Sequence, residues 1–337
     1  MIIILKAGVT ETDAQTLLAQ IESKGLKPLY MPGVERTVLG AIGDERVLQS
    51  LNLDGNPIVD EIKPILSKYK LVSRELNPID THVMLGNHAV GGDTFTVIAG
   101  PCGVESREQL LGVAQMLGKH GIAALRGGAF KPRTSPYSFQ GLGVEGLKLL
   151  KQANQATGLP TVSEVIDASD VELMADYIDC FQIGARNAQN YRLLEAVGEQ
   201  QKPVLLKRGM SSTVEELLLA AEYIVNAGNP NVILCERGIR TFETATRNTL
   251  DLNAVAYLKR KTHLPVLVDP SHGTGVRELI APLSYAAAAV GADGIIVESH
   301  LNPCEALSDG HQALDAQQFA ALMTGLRPFV HAAGKKL

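Results

Sequence analysis

From Phe95 onward, eight short apolar runs alternate with longer amphipathic segments. The runs are FTVIAGPC, IAALRGG, LPTVSEV, CFQIGAR, PVLLKRG, VILCERG, PVLVDPSH and GIIVESH. Continuously apolar runs are typical of parallel strands buried on both faces, and segments such as VEELLLAAEYIVNAG have helical periodicity. Residues 95–337 therefore predict an α/β fold, a TIM (β/α)8 barrel, whose usual length is ~250 residues. A doubly wound open sheet is the alternative, and the lack of a G-x-G-x-x-G turn after the first strand disfavours its dinucleotide-binding form.

Within each run the apolar residues come first and a reactive residue comes last. At the carboxyl ends of barrel strands such residues meet in the active site of the fold. The residues predicted at this mouth are Cys102, Arg126, Glu164, Arg186, Lys207, Arg237, His272 and Glu298.

Residues 1–70 have a different pattern. They predict strand, helix, two strands, helix and strand, which is the order of a ferredoxin-like α+β domain. The first helix is predicted to begin after an N-cap at Thr10 and to stop at Gly25. Small domains of this kind bind effectors or support oligomerisation, and the pattern leaves both roles open. Residues 71–94 are predicted to form a linker and a short hairpin before the barrel.

Composition and charge limit the classes of partner. The chain has 337 residues, 45% hydrophobic and 20% charged, which supports a sizeable folded core. A net charge of −5 gives no overall basic field for nucleic acid. Apolar runs stay well below the ~18 residues of a membrane span, and MIIILKAGVT does not have the pattern of a signal peptide. Four cysteines without C-x-x-C spacing indicate a reducing compartment. We therefore expect a cytoplasmic protein without nucleic-acid or membrane partners.

Five cations stand at strand ends or in the loop that follows one. They are Arg126, Lys131, Arg186, Lys207 and Arg237. Because cations are costly to bury for packing alone, five directed at one place indicate a ligand with several negative charges, most simply phosphate and carboxylate. The loop KPRTSPYSFQG, with its prolines and many donors, is predicted to be a rigid anion-binding clamp. For one or two of these cations the alternative is a structural ion pair with Glu164, Glu236 or Asp269.

A second group of residues can hold a metal ion. Its members are Cys102, His272, Glu298 and Asp309. The first, seventh and eighth strands of a barrel are neighbours, so three of these side chains fall on one side of the mouth. A thiolate, an imidazole and carboxylates favour a divalent transition metal over calcium. The alternatives are a small buried hydrophobe at Cys102 and a helix cap at His272. The rival ligands are Asp269, His300 and Cys304.

Several motifs together resemble one enzyme family. IAGPC, LRGGAFKPRTSPYSFQGLG, QIGARNAQNYRLL, PVLLKRG, LCERGIRTFETATRNTLD, LVDPSHGTG and ALSDG are similar to motifs of 3-deoxy-D-arabino-heptulosonate 7-phosphate (DAHP) synthase, type I beta group. The resemblance runs from about Leu71 to Phe329, and the N-terminal domain resembles the ferredoxin-like regulatory domain of regulated members. KPRTSPYSFQG is highly specific to the family, whereas GPC alone is not.

This resemblance implies the first step of the shikimate pathway, which leads to chorismate and the aromatic amino acids. Phosphoenolpyruvate, D-erythrose 4-phosphate and water give DAHP and inorganic phosphate in a metal-dependent, aldol-like transferase reaction, that of a 3-deoxy-7-phosphoheptulonate synthase. The resemblance also implies one divalent metal ion (Mn²⁺, Fe²⁺, Zn²⁺, Co²⁺ or similar), a homotetramer and an aromatic amino acid as a candidate allosteric effector.

The resemblance gives each candidate residue a role. The implied metal ligands are Cys102, His272, Glu298 and Asp309. The implied phosphoenolpyruvate residues are Arg126, Lys131, Glu164, Gly184, Ala185, Arg186, Lys207 and Arg237. The implied erythrose 4-phosphate residues are Pro132, Arg133, Thr134 and Asp309. Lys131 is the expected proton donor, and the ligands His272 and Cys102 complete the catalytic set.

Two alternatives to this function stay open. The related 3-deoxy-D-manno-octulosonate 8-phosphate synthase joins phosphoenolpyruvate to arabinose 5-phosphate and shares the barrel and the GPC-like start. KPRTSPYSFQG favours the shorter aldose, because the related enzyme has a different loop there. A non-catalytic barrel that serves as a scaffold or regulatory partner is the other alternative, and the retained metal and substrate residues disfavour it.

Overall fold

The computed structural model of the protein describes residues 1–33, 36–51, 53, 55–133 and 135–337. The chain forms two compact units, Met1–Pro78 and Ile79–Leu337. The boundary lies inside the stretch 71–94, for which the sequence predicts a linker and a hairpin.

The N-terminal unit is a four-stranded antiparallel sheet with two helices. Its elements are β1 (Ile2–Leu5), α1 (Glu11–Ser23), β2 (Lys27–Met31), β3 (Val38–Ile42), α2 (Glu45–Ser50) and β4 (Val59–Lys63). The strand order is β2-β3-β1-β4, and β1 is antiparallel to both of its neighbours. With the chain order β-α-β-β-α-β, this confirms the predicted ferredoxin-like fold.

Helix α1 begins and ends where the sequence predicts. The Thr10 hydroxyl accepts a hydrogen bond from the Asp13 amide at 3.2 Å, which satisfies one of the unpaired N–H groups of the first turn. Gly25 then takes a left-handed conformation with φ 74°, which costs little for a residue without a β-carbon. Between these ends Ile21 is buried together with Leu39 of β3, so the helix packs on the sheet.

The C-terminal unit opens with a hairpin, β5 (Val83–Leu85) and β6 (His88–Val90), and continues as a closed barrel. The eight barrel strands are β7 (Thr96–Gly100), β8 (Ala124–Arg126), β9 (Thr161–Val165), β10 (Cys180–Ile183), β11 (Val204–Lys207), β12 (Val232–Glu236), β13 (Val266–Val268) and β14 (Gly294–Glu298). Each strand pairs in parallel with the next, and β14 pairs with β7. The predicted (β/α)8 barrel is confirmed, and its closure excludes the doubly wound open sheet.

Helices connect the barrel strands, and a final helix follows the last strand. They are α3 (Arg107–Gly118), α4 (Val144–Thr157), α5 (Val171–Ala175), α6 (Tyr191–Gly198), α7 (Val214–Asn226), α8 (Leu252–Lys261), α9 (Pro270–Thr274), α10 (Ile280–Ala289) and α11 (Ala316–Ala332). Over the described ranges of the chain, none of the helices combines the length and apolarity that crossing a membrane requires.

The hairpin covers the N-terminal end of the barrel. Gly86 lies against Pro160, which precedes β9, and Gly91 lies against Pro265, which precedes β13. Apolar side chains of the hairpin are buried with the inward-facing residues of the strands in a single core cluster. The opposite end of the barrel, where the strands finish, carries the polar residues that the sequence predicts for the active site.

Candidate active site

A cavity of about 320 Å³ lies at the carboxyl ends of the barrel strands. Arg126 is the last residue of β8, Lys207 is the last of β11, and Arg237 directly follows β12, so three strands each direct a cation into it. The other predicted residues that line the cavity are Lys131, Pro132, Arg133, Glu164, Gly184, Ala185, Arg186, His272 and Asp309. Thr134 lies outside the described residues.

Sulfur and oxygen donors meet beside this cavity. Sγ of Cys102, a carboxylate oxygen of Glu298 and one of Asp309 all lie within 4.8 Å of one another, and we call these three residues the donor group. Nε2 of His272 lies 3.3 Å from Oε1 of Glu298, so the fourth predicted ligand borders the group. Asp309 has a φ of 51°, a left-handed conformation that Asp tolerates better than most residues.

The chemistry of these donors fits a divalent transition metal. Glu298 is fully buried, and its Oε1 accepts no hydrogen bond from the residues that the structure describes. Burial and the Glu298 carboxylate raise the pKa of the Cys102 thiol to about 12. A divalent cation reverses that effect, because it stabilises a coordinated thiolate. Sulfur, imidazole and carboxylate donors at one place are typical of such a cation.

Asp269 orients both His272 and Lys207. Its Oδ2 accepts hydrogen bonds from His272 Nδ1 at 2.7 Å and from Lys207 Nζ at 2.6 Å, and its Oδ1 accepts one from the His272 amide at 2.9 Å. Burial alone would raise the pKa of Asp269, but His272 and Lys207 outweigh it and hold that pKa well below its usual range. The ionised carboxylate therefore accepts a hydrogen bond from a protonated Nδ1, and the unprotonated Nε2 of His272 faces Glu298.

The rival ligands have other contacts. Both carboxylate oxygens of Asp269 already accept hydrogen bonds, as described above. His300 directs Nδ1 at the Asn302 carbonyl, 2.8 Å away, and Nε2 at Glu105, 3.4 Å away. Cys304 is exposed. Of the described residues, Cys102, Glu298 and Asp309 form the compact donor group, and the three rivals lie outside it.

The buried cations have unused donor capacity. Nη2 of Arg126 lies 3.2 Å from Oε1 of Glu298, whereas its Nε and Nη1 are buried and have no hydrogen-bond partner among the described residues. Nζ of Lys131 donates to both Sγ and the carbonyl oxygen of Cys102 at 3.0 Å. Lys207 and Arg237 are each only 4% exposed. Buried cations of this kind are stabilised by an anionic ligand.

Glu164 leaves no room for a side chain at position 184. A β-carbon added to Gly184 would lie 1.9 Å from Oε1 of Glu164. Because Gly184 has an ordinary φ of −70°, the requirement for glycine is steric. Gln182 Nε2 lies 3.4 Å from the second oxygen of Glu164 and fixes that carboxylate against the cavity wall.

The loop after β8 brings further polar groups to the cavity. Arg133, Ser135 and Ser138 line it. Nη1 of Arg133 donates a hydrogen bond to Oγ of Ser308, and this oxygen lies 3.2 Å from Sγ of Cys102. The Ser308 hydroxyl therefore links Arg133 of the predicted anion-binding loop to Cys102 of the donor group.

Structural ion pairs, the alternative for the predicted cations, are realised in part. Lys207 pairs with Asp269 and yet lines the cavity. Glu236 pairs with Arg208 at 2.9 Å rather than with Arg237. Arg208 directly follows β11 and is not among the residues that line the cavity, whereas Lys207 lines it.

Arg247, Met210 and Gln182 line the cavity, and the sequence-based prediction names none of them as site residues. Helix α8 begins at Leu252, and the segment before it, which carries Arg247, is a loop with a bridge between Ile239 and Thr249. The charged and hydroxyl-rich stretch RTFETATRNT was the available signal for a loop.

Comparisons with known proteins agree with this geometry. The model of the DAHP synthetase I family matches residues 75–330, and that of the DAHP synthase ferredoxin-like domain matches residues 1–67. A phospho-2-dehydro-3-deoxyheptonate aldolase from Thermotoga maritima is 52% identical over 337 residues, 100% of both chains. The crystal structure of a DAHP synthase from the same organism has a TM-score of 0.79 at 52% identity, covering 99% of this chain and 98% of that one. The chain belongs to the DAHP synthetase I family.

A more distant relative carries a different name. A 2-dehydro-3-deoxyphosphooctonate aldolase from Syntrophotalea carbinolica is 34% identical over 251 residues, which are 69% of this chain and 88% of the relative. A solved truncated form of the Thermotoga maritima synthase covers 80% of this chain and 98% of its own, with a TM-score of 0.75 and 51% identity.

Proposed function

We propose that this protein is a 3-deoxy-7-phosphoheptulonate synthase, which condenses phosphoenolpyruvate with D-erythrose 4-phosphate and water to give DAHP and inorganic phosphate in the shikimate pathway. The observation that carries this proposal is the placement of buried cations directly beside the donor group. The name of the full-length Thermotoga maritima relative, 52% identical to this chain, supports it.

Phosphoenolpyruvate is the proposed ligand of the buried cations. Its phosphate and carboxylate supply the negative charge that Nε and Nη1 of Arg126 need. The other residues proposed to bind it are Lys131, Glu164, Gly184, Ala185, Arg186, Lys207 and Arg237. Binding of this small polyanion by several cations also orients its double bond toward the second substrate, and such alignment contributes several kcal/mol to catalysis.

Erythrose 4-phosphate is assigned to the side of the cavity that is lined by Pro132, Arg133 and Asp309, with Thr134 as the fourth proposed contact. Arg133 is the cation available there for its phosphate. Its hydrogen bond to Ser308 Oγ holds the guanidinium next to the donor group, which brings the aldehyde end of a four-carbon sugar within reach of it.

Cys102, His272, Glu298 and Asp309 are proposed to hold one divalent ion, for which Mn²⁺, Fe²⁺, Zn²⁺ and Co²⁺ are all chemically suitable. When bound, the ion supplies Lewis acidity toward the aldehyde oxygen. Asp269 keeps His272 in the tautomer that leaves Nε2 for coordination, through the 2.7 Å contact to Nδ1.

In the proposed reaction, carbon 3 of phosphoenolpyruvate forms a bond to the aldehyde carbon, and the aldehyde oxygen takes a proton. Lys131 is the proposed donor of that proton, because its Nζ lies 3.0 Å from Sγ of Cys102 and lines the cavity. Water adds to carbon 2, and the bond between carbon 2 and the phosphate oxygen breaks. One water proton leaves with the inorganic phosphate, and the other returns to Lys131 as the carbonyl at carbon 2 forms.

For residues 1–70 we propose a regulatory and oligomerisation role, with a homotetramer as the assembly and an aromatic amino acid as the effector. The match of residues 1–67 to the ferredoxin-like domain of the family supports this role. We also propose a cytoplasmic location, because the four cysteines are free, as is typical of a reducing compartment.

The test is an assay of phosphoenolpyruvate consumption with erythrose 4-phosphate or arabinose 5-phosphate, each with and without a chelator. The expected result is turnover with erythrose 4-phosphate that stops with chelator and returns with Mn²⁺. Preferred turnover of arabinose 5-phosphate would establish the octulosonate synthase instead. Absence of turnover with either sugar at saturating metal would support the non-catalytic alternative.

A further inference from the structure

Gln312 is a fully buried polar residue in the loop that carries Asp309. Its side chain contacts Glu298, a member of the donor group, and it has no role in the function proposed above. Nε2 of Gln312 donates to Oε2 of Glu298 at 2.6 Å. The other carboxylate oxygen, Oε1, accepts no hydrogen bond from the described residues, and it lies 3.3 Å from Nε2 of His272 and 3.2 Å from Nη2 of Arg126.

The orientation of the Gln312 amide is fixed from its other end. Nη1 of Arg247 donates to Oε1 of Gln312 at 3.2 Å. A rotated amide would place its carbonyl oxygen against the Glu298 carboxylate and its NH₂ group against the Arg247 guanidinium. Both contacts would then be repulsive, so one orientation is strongly favoured.

Arg247 is itself held close to the site. Its amide donates to the Thr274 carbonyl at 2.8 Å, at the end of the helix that carries His272. Its side chain passes over Gly275, where an added β-carbon would lie 3.0 Å from Cβ of Arg247. Arg247 is exposed and lines the mouth of the cavity, so the chain of contacts from Arg247 through Gln312 to Glu298 runs from solvent to the donor group.

We propose that Gln312 is a positioning residue that sets the affinity of the metal site, by occupying Oε2 of Glu298 and leaving Oε1 for the metal, and that Arg247 fixes Gln312 in this orientation. The inference rests on the proposed role of Glu298 as a metal ligand. Hydrogen-bonded partners of metal ligands typically contribute 10- to 100-fold to metal affinity.

Arg247 allows a test by the sign of its effect. As a charge near a dication, Arg247 repels the metal, and its removal should tighten binding. As the residue that orients Gln312, its presence favours the metal, and its removal should weaken binding. If the hydrogen bonds of Gln312 only stabilise the loop, a substitution of Gln312 should lower thermal stability without a selective change in metal affinity.

The experiment uses full-length protein and Co²⁺ as the probe, because coordination by a thiolate gives Co²⁺ a charge-transfer absorption. Gln312→Met keeps the length of the side chain and removes both hydrogen bonds. We expect it to bind Co²⁺ about 10- to 100-fold more weakly than wild type, while its KM for phosphoenolpyruvate at saturating metal stays unchanged.

The control is Asn229→Leu, which removes another fully buried amide. Its Nδ2 donates to the Lys202 carbonyl at 2.7 Å, away from the cavity, and we expect lower stability with wild-type Co²⁺ affinity.

Arg247→Met provides the second, independent readout and should fold, because the residue is exposed. We expect weaker Co²⁺ binding in the wild-type background and unchanged or tighter binding in the Gln312→Met background. Wild-type affinity in Gln312→Met would overturn the proposal. If Gln312→Met does not fold, unchanged or tighter binding by Arg247→Met alone would overturn it.

Failure of the metal site itself has a different signature. If wild-type protein shows no thiolate absorption with Co²⁺, or if Cys102→Ser keeps it, the assignment of the ligands is wrong. If wild type shows the absorption and Cys102→Ser loses it, the assignment of the ligands is supported. If the Gln312 and Arg247 variants then bind Co²⁺ with wild-type affinity, the positioning role is rejected.

Discussion

Cys102 combines two properties that make the residue sensitive to substitution. It is buried, with its thiol pKa raised to about 12, and its sulfur lies 3.3 Å from Oδ2 of Asp309. The neutral thiol donates a hydrogen bond to this carboxylate, and a cation coordinated by both groups would replace the thiol proton. A coordinated cation compensates both groups at once.

We therefore expect Cys102→Ser to lose metal affinity and activity by on the order of 100-fold or more, while the protein stays folded. Metal content by elemental analysis and turnover at fixed metal concentration measure the effect. Cys304→Ser is the matched control, because Cys304 is exposed, and it should behave as wild type. Full activity of metal-depleted Cys102→Ser would refute the role of Cys102 as a ligand.

Lys131 is the proposed proton donor, and Lys131→Met removes the ammonium group but keeps the aliphatic stem. We expect kcat to fall by about 10²- to 10⁴-fold, with metal content and melting temperature close to those of wild type. Lys148, which forms an exposed pair with Glu145 at 3.3 Å, provides the control variant Lys148→Met. An unchanged kcat in Lys131→Met would remove this residue from the chemistry.

Gly184→Ala tests the contact with Glu164. The new methyl group cannot share space with Oε1, 1.9 Å away, so the carboxylate must move. We expect the KM for phosphoenolpyruvate to rise about 10-fold, the size of one charged hydrogen bond. Gly118→Ala serves as the control, because its nearest neighbour lies at an ordinary 3.7 Å. Equal KM values for the two variants would contradict a role of Glu164 in binding.

At the scale of elements, the segment after α11 fastens the chain to the barrel. Nζ of Lys335 donates to Asp293 at 2.6 Å and to the Gly92 carbonyl at 2.9 Å. Asp293 is fully buried, and Lys259 contacts the same carboxylate at 2.8 Å. Lys336, the next residue, pairs with Asp93, whose side chain is 61% exposed. Two adjacent lysines thus form one buried and one exposed ion pair.

This difference predicts unequal effects of the same substitution. Lys335→Met should lower the free energy of unfolding of the barrel by about 1–3 kcal/mol, because a buried carboxylate loses a charged hydrogen bond. Lys336→Met should leave it unchanged, because an exposed ion pair contributes little. Thermal and urea unfolding of the two variants measure the difference. Equal destabilisation would show that burial does not determine how much each ion pair contributes to the free energy of unfolding.

Elements were predictable from the sequence where the determinants are local. The cap at Thr10, the stop at Gly25 and the apolar strands each follow from neighbouring residues. The role of Gln312 was not predictable, because its partners are Glu298, 14 residues away, and Arg247, 65 residues away. In a sequence, a neutral amide does not indicate which group it contacts, whereas a cation at a strand end indicates an anionic partner. The ion pair of Lys207 with Asp269, 62 residues away, was among the alternatives for the cations, but the sequence did not indicate which of the cations would form it.

At the scale of the whole molecule, the two compact units predict separable roles. A chain that consists of 79–337 contains the cavity and the complete donor group. We expect it to catalyse the condensation and to lose inhibition by whichever aromatic amino acid inhibits the full-length protein. Assays of both forms with each aromatic amino acid, with light scattering for mass, measure this. Equal inhibition of both forms would place the effector site on the barrel.

The hairpin β5–β6 has a consequence for the traffic of molecules through the barrel. Because it covers the N-terminal end, substrates and products share the mouth at the other end. Arg126, Lys207 and Arg237 are each 4% exposed, whereas Arg186 is exposed nearer to solvent. With phosphoenolpyruvate as the proposed ligand of the three buried cations, a second substrate bound nearer to solvent would block its entry and exit. We therefore expect phosphoenolpyruvate to bind first and the aldose second.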